Sequence, residues 1–330
     1  MTETIKVAIL GAAGESAGLI LKGLLESTNP KYEVAALVRL SSVSKPSYEK
    51  LASQGVNLLP VDLESPDAEI AKSLRGYDVV IASVPPNALE SQLPLARAAK
   101  LANVKRFVPS SFAMAIAPSG ISSVQTVREK IHAEIAAMGL LYTIIDVGWW
   151  YSCFIPQMPS GQTDHATALP DFIKNLIPGD GNMKTNVVDN DDVGRFVARI
   201  LADSRTINKK VMASGAAISF NEMFGIAETL TGEKVERKQV SADGLKAMIR
   251  DFTAQAESDP RNYNTLVGKF WLEYYYSSFI DGDNSPEGVK RLGYLLVTDL
   301  YPDLQPTTFE QFFAETLANK RRVPYSDRLA

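Results

Sequence analysis

The apolar run Ile5–Leu10 opens directly onto Gly11-Ala12-Ala13-Gly14-Glu15-Ser16-Ala17-Gly18, and residues 16–26 then carry Leu19, Ile20 and Leu24 at helical spacing. A strand, a glycine loop and a helix in that order can take a pyrophosphate. Gly11 permits a tight turn and Gly14 lets the backbone approach the phosphates. The helix start adds unpaired N–H groups and a partial positive charge. The spacing is G-x-x-G-x-x-A-G, so the third small position is Ala17 or Gly18. A turn that needs glycine for steric reasons alone is the bland alternative, but the surrounding strand–helix order favours a dinucleotide. The next strand ends in Val38-Arg39-Leu40-Ser41-Ser42, with Lys45 beyond and no acid for the ribose hydroxyls. Arg39 can grip a 2′-phosphate through its planar fork, a contact worth about 1.5–3 kcal/mol. NADP(H) is therefore the expected cofactor, held by Gly11, Ala13, Gly14, Arg39 and Lys45 among others.

Other reactive residue types are scarce. Cys153 is the single cysteine, so an intrachain disulfide is impossible, and it reads as a small buried residue rather than a nucleophile. Neither His132 nor His165 has a second His or Cys at ligand spacing, and no metal is expected. No tyrosine has lysine four residues on. The cluster Trp149-Trp150-Tyr151 suits a flat apolar substrate, with domain-interface packing as the alternative. Trp271, Tyr274, Tyr275, Tyr276 and Phe279 share one helical run and read mainly as core.

These residues need elements to hold them. Residues 33–38, 56–60, 78–82, 107–108 and 142–147 are expected strands. Helical stretches lie between them, including 67–74, 89–102 and 124–138. This alternation predicts a parallel sheet covered on both faces. After Gly148 the pattern changes. Residues 149–161 read as a loop, 189–202 as a helix and 209–213 as a strand. Ser219-Phe220-Asn221-Glu222 and Thr308-Phe309-Glu310-Gln311 each have the form of a capping box, and 262–279 is a helical run. The expected division is 1–152 for the cofactor domain, with 185–213 returning to it, and 153–330 for the substrate domain. The 330 residues are 45% hydrophobic and 22% charged with a net charge of -4, which excludes disordered and coiled-coil chains and gives no basic face for nucleic acid. The N-terminus lacks signal-peptide form and no apolar run approaches the ~20 residues of a membrane span. A soluble, cytoplasmic protein with a small-molecule substrate is expected, with no membrane partner. A homodimer stays open.

Several segments together resemble the NmrA-like and isoflavone-reductase-like atypical short-chain dehydrogenases, closest to their fungal-type branch. They are the glycine loop, Val38-Arg39, Gln92, Val104-Lys105-Arg106-Phe107-Val108-Pro109-Ser110-Ser111-Phe112, Ile177-Pro178-Gly179-Asp180-Gly181, Asp192-Val193-Gly194-Arg195-Phe196 and Tyr301-Pro302. Gly148-Trp149-Trp150 fits the fungal branch. The resemblance implies a Rossmann-type, doubly wound parallel sheet with a smaller, mainly helical α+β substrate domain. It places Gly11, Gly14, Glu15 and Ser16 at the pyrophosphate and Arg39 at the 2′-phosphate. Ser83, Val84 and Pro85 then pass the cofactor, and Ser110, Ser111 and Phe112 run toward the nicotinamide. Gly148, Trp149, Trp150 and Tyr151 line the nicotinamide and substrate pocket.

One position departs from the pattern. The isoflavone-reductase-like branch carries a catalytic lysine fourteen residues before the tyrosine matching Tyr142, and that position here is Arg128. Arginine stays charged, so Arg128 can orient a phosphate or stabilise an oxyanion but not act as a base. Lys130 is about 200° around the helix, and it is either a solvated lysine or the true equivalent if the register slips by two. His132 shares the face of Arg128 and could transfer a proton with a pKa near the working range, a surface histidine being the alternative. The leading expectation is an NADPH-dependent reductase of a small aromatic or alkaloid-like metabolite, with hydride transfer to a C=C, C=N or C=O carbon. The first alternative is a non-redox cyclase, condensation catalyst or isomerase in the same cleft. The second is a dinucleotide sensor that binds a regulatory protein.

Overall fold

The computed structural model describes residues 4–118, 121–167, 169–259 and 261–324. The ends of the expected domain division, 1–3 and 325–330, lie outside them. The first half alternates strands and helices: β1 (Ile5–Leu10), α1 (Glu15–Glu26), β2 (Tyr32–Val38), α2 (Pro46–Ser53), β3 (Asn57–Pro60), α3 (Asp67–Leu74), β4 (Val79–Ala82), α4 (Leu93–Leu101), β5 (Arg106–Val108), α5 (Ser123–Ala137) and β6 (Thr143–Asp146). The central strands are runs of Val, Ile and Ala buried on both faces, which suits a parallel sheet covered by helices. Five of them form one parallel sheet in the order β3-β2-β1-β4-β5. Helix α1 turns Ala17, Ile20, Leu21 and Leu24 inward, and these side chains form one core with the sheet.

The second half comprises β7 (Trp149–Trp150), β8 (Leu176–Pro178), β9 (Thr185–Val188), α6 (Asn190–Ala202), β10 (Lys209–Met212), β11 (Ala216–Ile218), α7 (Phe220–Thr231), β12 (Lys238–Val240), α8 (Ala242–Ser258), α9 (Tyr263–Tyr275), α10 (Pro286–Arg291), β13 (Tyr294–Leu296), α11 (Val297–Leu300) and α12 (Phe309–Leu317). Strands β6, β10 and β13 pair in parallel. A bridge between Phe107 and Tyr142 joins this group to the edge of the first sheet. Helix α6 lies across α1, where an added Cβ on Gly194 would sit 2.2 Å from the Leu19 carbonyl oxygen. An aromatic core under α7, α9 and α12 fills the rest.

Both capping boxes form. Ser219 and Glu222 close the start of α7, and Thr308 and Gln311 close the start of α12. Three stretches differ from expectation. Trp149–Trp150 is not loop but a short strand, paired in parallel with Val187 and Val188 of β9. Gly148 (φ +71°) turns the chain out of β6 into this second sheet, a change that periodicity over two residues cannot reveal. The helix expected over 89–102 is a 3-10 stretch, Pro86–Gln92, bent at Ala88, followed by α4. Pro94, inside the expected span, lacks the N–H that a continuous helix would need there. The run 262–279 is α9 followed by a π-helical turn, Tyr276–Ile280.

Candidate active site

The glycine loop closes as a cradle. Gly11 has φ +82°, and a Cβ there would stand 2.0 Å from the Ser83 carbonyl oxygen, so both the backbone conformation and the neighbouring strand demand glycine. The Gly14 N–H donates to the Gly11 carbonyl at 2.7 Å. Gly14 also caps α1 without a side chain, so the first turn of the helix faces the loop by its backbone. Ala17, not Gly18, is the third packing position: Ala17 is buried in the sheet core, while a Cβ on Gly18 would meet nothing. Ala13 is exposed, and Glu15 and Ser16 begin α1. Beyond β2, Arg39 and Lys45 are exposed on either side of the 3-10 turn Leu40–Ser42, and Arg39 is near enough to Tyr48 for its charge to act on that phenol. The site thus presents glycine backbone, a helix start and two cations, which is the chemistry of an anionic nucleotide cradle.

Two loops form a shelf beside this cradle. The Val84 N–H donates to Ser110 Oγ at 3.0 Å, Ser110 Oγ donates back to the Val84 carbonyl, and the Ser110 N–H donates to Gln92 Oε1 at 2.8 Å. Segments 83–85 and 110–112 are therefore locked together by Ser110, which the buried Gln92 holds in place. Phe112 has φ +46°, a strained conformation for a bulky residue that costs about 1–2 kcal/mol, held by its N–H bond to the Ile145 carbonyl. At Gly148 a Cβ would sit 2.4 Å from the Asn186 carbonyl oxygen.

Behind the shelf lies a buried polar cluster. Asp146, at the carboxyl end of β6, is 2% exposed. Its Oδ1 accepts from Ser111 Oγ at 2.5 Å and from the Ala113 N–H at 3.3 Å, and its Oδ2 accepts from the Tyr294 hydroxyl at 2.6 Å. Burial raises the Asp146 pKa against the pull of Arg128 and these donors. Arg128 is buried on α5 and donates from Nη1 to the Tyr274 hydroxyl at 3.2 Å. Burial opposes its charge, but Tyr274 and Asp146 outweigh that effect and hold the guanidinium protonated. Helix α9 is docked onto α5 by Glu273, which accepts from the Ser123 N–H and pairs with Lys269.

The other two residues expected near Arg128 do not join this cluster as acids. Lys130 is exposed on the outer side of α5. His132 is half-buried with its Nδ1 enclosed, and its pKa is pushed down to about 3 by burial and by the charges of Arg128 and Lys210. The expectation of a titration near the working range is corrected accordingly: the ring is neutral at neutral pH, because protonation would bury a cation and set it against two others.

Trp149 is also corrected, from pocket wall to core. It is 2% exposed, donates from Nε1 to Ser278 Oγ at 3.0 Å, and is enclosed by Trp271, Tyr274, Tyr275, Phe154 and Phe279. Trp150 is half-buried against the sheet core. The Tyr151 hydroxyl donates to the Thr307 carbonyl, and its ring packs on Phe309 and Phe312 beside an open groove of about 920 Å³ between β11, α7 and α12. Burial pushes the Cys153 thiol up to about 12, so it is not a thiolate at neutral pH.

Sequence reasoning missed Asp146, Tyr274 and Tyr294 as members of this cluster. A carboxylate ending an otherwise apolar strand was a usable signal for Asp146, since ligands sit beyond the carboxyl ends of parallel strands. Tyr294 had none, being brought to Asp146 only by the pairing of β13 with β10. Among the described residues, no helix is long and apolar enough to cross a membrane.

The NmrA-like family model matches residues 3–313. Asnovolin J 5′,6′-dehydrogenase nvfM of Aspergillus novofumigatus (strain IBT 16806) is 36% identical over 318 residues, 96% of this chain and 97% of that protein. The structure of the leucoanthocyanidin reductase–NADPH binary complex from Vitis vinifera matches with a TM-score of 0.76 at 22% identity, over 95% of this chain and 99% of that one. A crystal structure of isoflavone reductase matches with a TM-score of 0.75 at 25% identity over the same shares, 95% and 99%. The parallel central sheet with flanking helices is thus a Rossmann-type fold shared with these proteins.

Proposed function

The chain belongs to the NmrA-like family, and from that premise we propose that it is an NADP(H)-dependent oxidoreductase acting on a small, aromatic or alkaloid-like metabolite at a C=C, C=N or C=O carbon. The observation that carries this reading is the Gly11–Ser83 cradle at the start of α1 together with Arg39 and Lys45 beyond β2. The 36% identical dehydrogenase and the NADPH complex at 22% identity support it. In this reading the backbone at Gly14, Glu15 and Ser16 takes the pyrophosphate, and Arg39 with Lys45 takes the 2′-phosphate. Segments 83–85 and 110–112 and Gly148 flank the nicotinamide. When bound, the dinucleotide supplies a hydride donor or acceptor. Arg128 supplies a fixed positive charge for an oxyanion and passes no proton. Asp146 holds Ser111, and with it the shelf, in one orientation.

The test is to titrate NADPH and NADH into the purified protein, and then to follow oxidation of NADPH against a panel of aromatic and alkaloid-like acceptors. NADPH should bind more tightly than NADH. Arg39→Ala should weaken NADPH by about 1–3 kcal/mol and leave NADH little changed. Equal losses for both cofactors would remove the 2′-phosphate role of Arg39. Tight binding without turnover across a broad panel would count against the oxidoreductase. A second reading, non-redox catalysis in the same cleft, draws on the chemistry of the three α5 residues. Arg128 is fixed in charge, Lys130 is exposed and His132 is neutral. A product of unchanged oxidation level would select it.

A further inference from the structure

Residues 320–322 fold back from the end of α12 toward the starts of α6 and α1, and they lie outside the stretch that the family model matches. The Lys320 N–H donates to the Glu315 carbonyl at 2.9 Å, which fixes where the segment leaves the helix. Arg321 is then held from three sides: Nη2 lies 3.0 Å from Asp189, Nη1 lies 2.9 Å from Asp191, and Nε lies 2.7 Å from Glu315. Its guanidinium also covers the Phe312 ring at 5.4 Å. The side chain is only 16% exposed. Thus Arg321 ties α12 to the start of α6.

That anchorage delivers Arg322 to the first turn of α1, where it pairs with Glu15. Glu15 is an awkward residue for its position. It is the first residue of the helix whose start forms the cradle, and its side chain is 9% exposed. A carboxylate there favours the helix dipole but repels an incoming pyrophosphate. Glu15 is enclosed while the Arg322 side chain is 53% exposed, so the pair is screened on the arginine's side only, and the charge on that partner sets how much of the repulsion an anion feels.

We propose that residues 320–322 are a clasp on the dinucleotide loop, in which Arg322 offsets the charge of Glu15 so that phosphate can bind beside it, and Arg321 positions Arg322. The proposal rests on the reading of the loop as the dinucleotide site. Arg322 acts through Glu15 and is a positioning residue. Its contribution to binding therefore depends on Glu15 being charged.

The experiment measures NADPH binding by calorimetry for the wild type, R322A, R322K, E15Q and E15Q/R322A, with thermal melts alongside. R322A should raise Kd about five- to tenfold, and R322K should restore most of it. In the E15Q background, R322A should change Kd less than about twofold. R321A should reproduce the R322A loss, because Arg322 is then no longer delivered. An equal loss from R322A in both backgrounds would overturn the proposal in favour of direct phosphate contact, and so would an unchanged Kd in R322A. Failure of the wild type to bind NADPH would instead overturn the underlying site reading.

Discussion

His132 stays neutral because burial disfavours the charged ring, and Arg128 and Lys210 repel it further. Its folded pKa of about 3 lies below the ordinary 6.5, so the unfolded chain binds the extra proton. The stabilisation is full above 6.5 and is lost as pH falls through the folded value. Urea denaturation from about pH 7 down to about pH 5 should show wild type losing about 1–2 kcal/mol more than His132→Gln at the acid end. Parallel curves would show that the ring titrates normally. The same residues show how far a single position can be read. The family resemblance points to Arg128, fourteen residues before Tyr142, and a helical wheel separates it from Lys130. Whether His132 titrates is decided first by its burial, which packing between distant segments sets, then by Arg128 on its own helix and by Lys210, which arrives from β10.

At the scale of elements, the contact between α1 and α6 depends on two glycines meeting backbone to backbone. A Cβ on Gly23 would lie 2.1 Å from the Gly194 carbonyl carbon, and one on Gly194 would lie 2.2 Å from the Leu19 oxygen. No flexible side chain can give way there. Gly194→Ala should therefore destabilise by about 1–3 kcal/mol despite the better helix propensity of alanine. Gly225→Ala, where a Cβ would meet nothing within 4 Å on α7, should be stabilising by up to about 1 kcal/mol. Chemical denaturation of both variants checks this, and similar values for the two would disprove the crossing argument. Local signals located these helices well. The capping boxes at Ser219 and Thr308 begin α7 and α12 where the motif places them, because a cap is satisfied within four residues. No local signal marks Gly194 as the crossing point, since its partner is 171 residues away by number (194 − 23).

Across the whole molecule, a sheet core and an aromatic core meet at the turn after β6, and Trp149 is the large side chain that enters the second one. Trp149→Ala should cost about 3–5 kcal/mol through the cavity left among its five ring neighbours, with Trp149→Phe recovering part of it. A melting temperature unchanged in Trp149→Ala would return Trp149 to the pocket. The strand and helix alternation over the first half, the glycine cradle and the cations beyond β2 were all determined by the sequence alone. Each rests on periodicity, a missing Cβ or a charge at the end of one strand, and these are properties of neighbouring residues. The tertiary structure decided the rest. It put Tyr294 and Ser111 on Asp146, lowered His132, buried Trp149 and brought Arg322 to Glu15. Those outcomes come from parallel pairings and helix docking between segments as many as 307 positions apart, where burial and charge are set by what the fold brings near.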